Sequence, residues 1–173
     1  MHRTSDGTPF AWQGYGHLYA EPGTLHGISL DYANYYLPET IRSDSLGTAD
    51  LRPGETYVLN VTTEGILIQG RTTIPDTFSA SLVAMNGHRW VVWPRVRGAG
   101  GYMLSFSDGR TSLQQDTAFA LADEELDGGW LTIRALDFNL YQYVSDPQMH
   151  RAGIDRGFGV FGATTAARLR LFP

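Results

Sequence analysis

Residues 77–96 read TFSASLVAMNGHRWVVWPRV, two runs of alternating residues that meet at Asn86-Gly87. An apolar residue at every second position is typical of a strand with one buried face. Asn-Gly favours a type I′ hairpin turn, because both central residues of that turn adopt positive φ. The stretch therefore predicts a hairpin with strands near 77–85 and 88–96. One side of the first strand is predicted to carry Phe78, Ala80, Leu82 and Ala84.

The same alternation recurs along the chain and predicts an all-β fold. Four further stretches show it: GETYVLNVTT (54–63), GYMLSFSDG (101–109), GWLTIRALD (129–137) and ARLRLF (167–172). Asp108-Gly109 predicts a second tight turn, which joins the 101–107 strand to the segment that follows. The other strands are predicted near 16–20, 25–32, 65–73, 116–121 and 157–162. A total of about eleven short strands is typical of sandwiches and barrels.

One stretch, LDFNLYQYVSDP (136–147), favours a short helix over 137–145. Asp137 is a suitable N-cap, and Pro147 would end the helix. Phe138, Tyr141 and Val144 then fall on one helical face. The stretch also alternates in the manner of a strand, so a strand is the alternative.

The stretch RTTIPDTF (71–78) predicts a joint between two β modules. Pro75 has no N–H for a strand ladder, and it holds Ile74 in an extended conformation. A new alternating run begins at Thr77. We therefore predict one module over 1–75 and a second over 76–173.

Composition excludes several classes of protein. The net charge is −5. A general nucleic-acid binder needs an excess of basic residues to neutralise phosphates, so the composition argues against that class. The chain has no Cys, which excludes disulfides, thiolate metal sites and a Cys nucleophile. Residues 1–20 hold no apolar run long enough for a signal peptide or a membrane helix. We predict no nucleic-acid partner and no membrane span.

Gly157, Gly159 and Gly162 spell G-x-G-x-x-G, the spacing of phosphate-binding loops. A dinucleotide site needs a helix after this motif and an acidic residue about 20 positions on. The chain continues instead as ATTAARLRLFP (163–173), which alternates like a strand. We therefore interpret the glycines as architectural, since strand glycines commonly permit a close approach or a bulge.

Other constellations give no catalytic, cofactor or metal residue. His17 and His26 could face each other across a hairpin, but no third ligand lies near them in the sequence. The acidic stretch DEELDGG (123–129) is interpreted as a solvated turn, with a weak calcium site as the alternative. No G-x-S-x-G nucleophile motif is present. We predict a protein without a cofactor that is not an enzyme.

Exposed aromatic side chains are the predicted contact residues. In HRWVVWPR (88–95), Trp90 and Trp93 fall on opposite strand faces, so one is expected in the core and the other at a surface. An exposed Trp beside arginines suits a glycan or a protein partner. The alternative is that both are buried between the modules. Tyr35 and Tyr36 of LDYANYY (30–36) are further candidate contacts.

Three stretches together resemble a family: LRPGETYVLNVTTEG (51–65), RTTIPDTF (71–78) and GFGVFGA (157–163). They are similar to an uncharacterised group of bacterial envelope proteins, a domain of unknown function. Its members are typically exported lipoproteins, often encoded beside TonB-dependent receptors. Pro53, Gly54 and Tyr57 match a strand that ends an immunoglobulin-like module in that group. Thr72 and Pro75 match its joint, and LDFNLYQYVS (136–145) falls where it has a tyrosine-bearing segment.

The resemblance implies two tandem immunoglobulin-like β-sandwich modules outside the cytoplasm, in the bacterial envelope or secreted. The sequence shows neither an export signal nor a lipobox Cys, so we expect the native start to lie upstream. The expected function is a non-catalytic binding module for a protein or a glycan. One alternative is a self-associating surface or fibre subunit, which adds strands edge to edge as a homo-oligomer. A second alternative is a hydrolase that acts on polysaccharide.

Overall fold

The computed structural model describes residues 2–5, 7, 23–25, 28–30, 51–63, 65–122 and 129–172. These residues form mainly β-strands, most of them antiparallel, and one short helix, which confirms the predicted all-β class. The described strands are β1 (His2–Arg3), β2 (Gly23–Leu25), β3 (Ile28–Leu30), β4 (Thr56–Thr63), β5 (Ile66–Thr73), β6 (Ser81–Met85), β7 (His88–Val92), β8 (Ala99–Phe106), β9 (Thr111–Gln114), β10 (Ala118–Leu121), β11 (Trp130–Asp137), β12 (Arg151–Ala152), β13 (Gly159–Val160) and β14 (Thr164–Arg170), and the helix is α1 (Phe138–Ser145). Within these residues no helix is long and apolar enough to cross a bilayer.

The hairpin predicted around Asn86-Gly87 is confirmed. β6 and β7 pair antiparallel, and Met85 lies opposite His88. The turn residues have φ values of 52° and 76°, as a type I′ turn requires. Both strands are shorter than predicted: β6 begins at Ser81, and β7 ends before Pro94, which cannot donate to a ladder. β10 pairs with the other edge of β7 and completes a three-stranded sheet.

A four-stranded sheet follows in the order β14-β11-β8-β9. The predicted turn at Asp108-Gly109 joins β8 to β9, and Gly109 has a φ of 91°. The Arg110 N–H donates to Asp108 Oδ1 over 2.9 Å, which ties the turn down. β9 was not predicted, and its polar sequence TSLQ explains why: alternation of apolar residues is almost absent there.

The two sheets contribute to one core. Its fully buried members include Val91 from the three-stranded sheet and Leu104, Leu131 and Ile133 from the four-stranded sheet. Phe78 and Leu82 also pack against it, as their alternation indicated. Burying apolar side chains from both sheets together is the main source of stability here.

The predicted helix is confirmed as α1, which excludes the strand alternative. Asp137 is its N-cap, and the Leu140 N–H donates to the Asp137 carboxylate over 2.9 Å. The helix packs on the opposite face of the four-stranded sheet, where Met103, Leu136 and Leu140 form a second apolar cluster. Gly101 permits this contact, because a Cβ there would lie 2.3 Å from the Tyr141 ring.

β4 and β5 form a long hairpin, and β1 pairs with its β4 edge. Along the other edge, the Arg71 N–H donates to the Gly153 carbonyl and the Asp155 N–H to the Gln69 carbonyl, each over 2.9 Å. The segment after the hairpin, 74–80, is not a strand, and Pro75 is buried. The division into modules 1–75 and 76–173 stays a prediction.

Two strand predictions need correction. The strand predicted over 25–32 covers only the last residue of β2 and the whole of β3, two short strands that pair with each other antiparallel. The region predicted as a strand over 157–162 contains only β13, and Gly157 before it adopts a φ of 82°, which is not extended backbone. The strand predicted over 16–20 lies outside the described residues.

One glycine of the motif, Gly162, permits a close approach, as the architectural interpretation predicted. A Cβ at Gly162 would lie 2.7 Å from Leu140 Cβ and 2.9 Å from Asp137 Oδ1. Gly162 therefore lets the chain pass close to the start of α1. The motif is followed by β14 and not by the helix that a dinucleotide site needs.

Candidate functional site: an arginine and aromatic surface

The four predicted contact residues do not lie together on one described surface. Trp93 is buried in the core, where its ring meets Tyr102 edge-on at 5.4 Å, so the prediction that it contacts a partner is corrected. It follows Val91 on the core side of the chain. Trp90 is half-buried on the other side of β7. Tyr35 and Tyr36 lie outside the described residues.

A different exposed aromatic surface stands on β14 and its neighbour β11. Along β14 the side chains alternate: Ala167 and Leu171 are buried, whereas Arg168 and Arg170 are exposed. The register places Trp130 of β11 opposite Arg170. Directly opposed residues of an antiparallel pair project from the same sheet face. The alternation of ARLRLF therefore puts a row of arginines beside a tryptophan.

Two guanidinium groups stack on two aromatic rings at this surface. The Arg168 guanidinium carbon lies 4.3 Å from the centroid of Trp130. The Arg170 guanidinium carbon lies 5.8 Å from Trp130 and 4.6 Å from the ring of Phe172. Trp130 is 39% exposed and Phe172 51% exposed, so both rings remain open to a ligand.

Stacking of this kind stabilises the position of a guanidinium group by a small free energy. A cation–π contact at an exposed site contributes about 0.5–1 kcal/mol. The planar group keeps its N–H edges available while its face lies on a ring. The Trp130 ring therefore preorganises Arg168 for a planar anion such as a carboxylate, and less side-chain entropy remains to be lost on binding.

The same sheet face continues toward the helix. Arg134 lies four residues from Trp130 along β11, on the same sheet face. Its Nη1 donates to Ser105 Oγ over 2.9 Å. Beyond Arg134 the face is covered by α1, which packs on Met103 and Leu136. We call the exposed part the Trp130 surface and define it by Trp130, Arg134, Arg168, Arg170 and Phe172.

The sequence did not predict the Trp130 surface, although the strand pattern that forms one side of it is visible in residues 167–172. The alternation of ARLRLF (167–172) predicts a strand with its apolar residues on one face. The same alternation places Arg168 and Arg170 outward on one face. Their meeting with Trp130 depends on the register between β11 and β14, which no local pattern specifies.

The buried carboxyl group of Asp137 has a structural role. Its Oδ2 accepts from Thr72 Oγ1 over 2.6 Å, and its Oδ1 accepts from the Leu140 and Ala163 N–H groups. Burial raises the pKa of this carboxyl group above its usual value of 3.8, and these hydrogen bonds oppose the rise. The group joins β5, α1 and the start of β14, and its oxygens are engaged by these donors.

The remaining predicted sites have few described residues. In the described part of the chain no three His, Cys, Asp or Glu side chains form a group that could hold a metal ion. His17, His26 and the acidic residues 123–127 lie outside that part. Comparisons with family models, curated proteins and solved structures found no match to this chain.

Proposed function

We propose that this chain is a non-catalytic binding module of the bacterial envelope that holds an acidic glycan on the Trp130 surface. The observation that carries the proposal is the stacking of Arg168 on the exposed ring of Trp130 at 4.3 Å. A held guanidinium forms two parallel hydrogen bonds to a carboxylate, which adds geometric selectivity to charge attraction. Exposed aromatic rings beside it supply apolar faces on which a sugar ring can stack.

The spacing of the two arginines suits a ligand with repeated acidic groups. Arg168 and Arg170 project from the same face of β14, and residues two apart on a strand are separated by roughly 6.5 Å. The whole protein carries a net charge of −5, and Arg168 and Arg170 place two positive charges on this sheet face. A local field of one sign concentrates ligands of the opposite sign.

The finer architecture belongs to the same proposal. We infer that residues 76–173 form a β-sandwich, because the two antiparallel sheets share one core. The immunoglobulin-like assignment of residues 1–75, the first module of the tandem, rests on the family resemblance. So does the location outside the cytoplasm, since the resembling proteins are exported. An in-frame export signal in the genomic sequence upstream of Met1 is the expected finding; its absence would contradict the location.

The function is tested by titrating the full chain with polygalacturonate, an acidic polysaccharide, in a calorimeter. We expect binding that weakens with added salt, because exposed charges are screened, and no binding to the neutral polymer dextran. Arg168→Ala should weaken binding about tenfold, since a charge-assisted hydrogen bond contributes about 1.5–3 kcal/mol. Arg95→Ala is the matched control, because Arg95 is equally an exposed arginine but lies outside the Trp130 surface.

Three outcomes would count against the proposal. If dextran bound with the same affinity as polygalacturonate, charge would have no role in binding. An unchanged affinity in Arg168→Ala would remove the Trp130 surface. Tighter binding of poly-glutamate than of polygalacturonate would assign the surface to an acidic protein partner.

The two alternatives gain less support from the described residues. A fibre subunit would add strands at an open sheet edge, and of the described edge strands β14 carries Arg168 and Arg170, charged residues that oppose strand addition. A polysaccharide hydrolase would need a pair of working carboxyl groups. The carboxyl group of Asp137, whose pKa is raised, is buried in structural hydrogen bonds.

A further inference from the structure

Exposed apolar side chains gather at the turn end of the hairpin formed by β4 and β5. Ile66 is 49% exposed and Leu67 45% exposed at the start of β5. Phe158, in the loop before β13, is 86% exposed, far more than the other exposed aromatic residues in the described part of the chain. We call these three residues the hairpin tip.

The loop that presents Phe158 is anchored to β5. The Gln69 N–H donates to Asp155 Oδ1 over 2.8 Å, and the Asp155 N–H donates back to the Gln69 carbonyl over 2.9 Å. Gly157 approaches Ile68, two residues along β5 from Ile66: a Cβ on this glycine would lie 3.8 Å from Ile68 Cδ1. Phe158 and the hairpin end therefore belong to one side of the molecule.

Backbone geometry holds Phe158 outward. Gly157 and Gly159 on either side of it have φ values of 82° and 114°, which residues with a Cβ rarely adopt. The Gly159 N–H donates to the His150 carbonyl over 2.8 Å and closes the loop behind the ring. Exposing a whole phenyl ring to water is unfavourable by about 1.5–3 kcal/mol relative to burying it. Such an exposed ring, held by its backbone, points to a binding role.

The arrangement of the tip distinguishes between kinds of partner. Ile66 and Leu67 are consecutive in a strand, so their side chains project to opposite faces. A flat protein surface would cover only one of those faces. A lipid interface surrounds a protruding tip and buries apolar side chains on both faces together.

Basic residues lie beside the tip. Arg151 of β12 and Arg156 of the loop are both exposed, and Arg151, Gly157 and Phe158 line a shared hollow with His150. The Arg156 guanidinium is 3.9 Å from Asp155, a long and exposed pair that leaves it accessible to other anions. Asp155 beside Arg156 opposes this charge, so the apolar side chains carry most of the attraction.

We propose that the hairpin tip docks onto an anionic lipid bilayer, with Phe158, Ile66 and Leu67 entering the interface and Arg151 and Arg156 meeting acidic headgroups. This contact is separate from the Trp130 surface and does not depend on the proposed glycan binding. It orients the protein on a membrane and leaves the sheets in water.

Vesicle flotation of the full chain tests the proposal. The probes are vesicles of phosphatidylcholine alone and vesicles with an equal share of phosphatidylglycerol. We expect flotation with the mixed vesicles and less with the neutral ones. Phe158→Ser should lower the partition coefficient about tenfold, because a phenyl ring no longer enters the interface. Met85→Ser is the control, since Met85 is also an exposed apolar residue and lies at the turn of the other hairpin.

A labelling experiment separates a bilayer from a protein partner. The chain has no Cys, so Ile66→Cys and Leu67→Cys each accept one environment-sensitive fluorophore. Mixed vesicles should shift the emission of both labels to the blue. A shift at only one of the two positions would overturn the proposal, because it would indicate a one-sided contact.

Other results would also overturn it. If the protein floated with neither kind of vesicle, or if Phe158→Ser floated as well as the unsubstituted chain, docking through the hairpin tip would be excluded. Equal flotation with neutral and mixed vesicles would exclude the contact with acidic headgroups. A concentration-dependent dimer that Phe158→Ser abolishes would assign the tip to a second copy of this chain. Polygalacturonate binding, measured on the same variants, should not change.

Discussion

One face of the four-stranded sheet has two parts of opposite character. At one end α1 packs so closely that Gly101 has no space for a Cβ. At the other end the Trp130 surface carries arginines stacked on exposed rings. The same strands, β8 and β11, run through both parts. The difference is therefore in the side chains and not in the backbone that supports them.

The comparison separates stability from binding. Close packing makes the covered part sensitive to volume, because an interior cannot accept extra atoms without strain. Exposed charges and rings contribute little to folding, since water competes for each of them. Substitutions under α1 should therefore change the free energy of unfolding, whereas substitutions on the Trp130 surface should change ligand affinity. Four predictions follow this division.

The largest effect is expected at Asp137, where α1 begins. Asp137→Ala leaves the Thr72 hydroxyl and the Leu140 and Ala163 N–H groups without their acceptor. Losing a helix cap and leaving buried donors unpaired should lower the free energy of unfolding by about 3 kcal/mol. Urea denaturation measures it. Asp137→Asn is the control: its amide retains an acceptor oxygen, so the loss should be much smaller. Equal losses in both variants would contradict the role of the hydrogen bonds.

A smaller effect is expected at Gly100. A Cβ at this position would lie 2.7 Å from the Phe138 Cα, and a backbone atom cannot turn aside as a side chain can. Gly100→Ala should therefore lower the free energy of unfolding by about 2 kcal/mol. Thr132→Val, on the open part of the four-stranded sheet, is the matched control and should stay within about 0.5 kcal/mol. A loss in Thr132→Val as large as that in Gly100→Ala would remove the distinction between the two parts.

Local signals explain which elements could be predicted. The turn at Asn86-Gly87 follows from the backbone preferences of two residues, and the start of α1 follows from one capping side chain. Each signal acts within four residues, so sequence alone reveals it. β9 lacked such a signal, because a polar strand resembles a loop until its partner β8 is known.

The Trp130 surface could not be predicted, because it forms between strands that are distant in sequence. Trp130 meets Arg168 and Arg170 through the pairing of β11 with β14. Two tryptophans three residues apart suggested a site at Trp90 and Trp93 instead. Core packing decided against Trp93, whose ring fills the space beside Tyr102. The predicted boundary at Pro75 is likewise a question of packing between segments, and it stays a prediction.

A pH-dependent effect is also expected at Asp137. Burial raises the pKa of its carboxyl group in the folded protein above the usual 3.8, so the folded state takes up this proton at a higher pH than the unfolded chain does. The stability from this group is therefore complete below about pH 3.8 and is lost as pH rises through the raised pKa. The unfolding free energy of the unsubstituted chain should fall relative to that of Asp137→Asn over this range. Urea titrations at several pH values measure the unfolding free energy of both proteins. A free energy of the unsubstituted chain that rises with pH relative to that of Asp137→Asn would contradict the prediction.

The smallest effect is expected from the pairing of Trp130 with Arg168. A double-mutant cycle with Trp130→Leu, Arg168→Ala and the combined variant isolates the interaction between the two side chains. Stacking at 4.3 Å should give a coupling free energy of about 0.5 kcal/mol in unfolding. In polygalacturonate binding the same cycle should give a larger coupling, because the ring holds the guanidinium in its binding position. Coupling in unfolding but none in binding would mean that the stack is only a surface contact. Coupling in binding that exceeds coupling in unfolding would show that the open part of this sheet face is organised for a ligand.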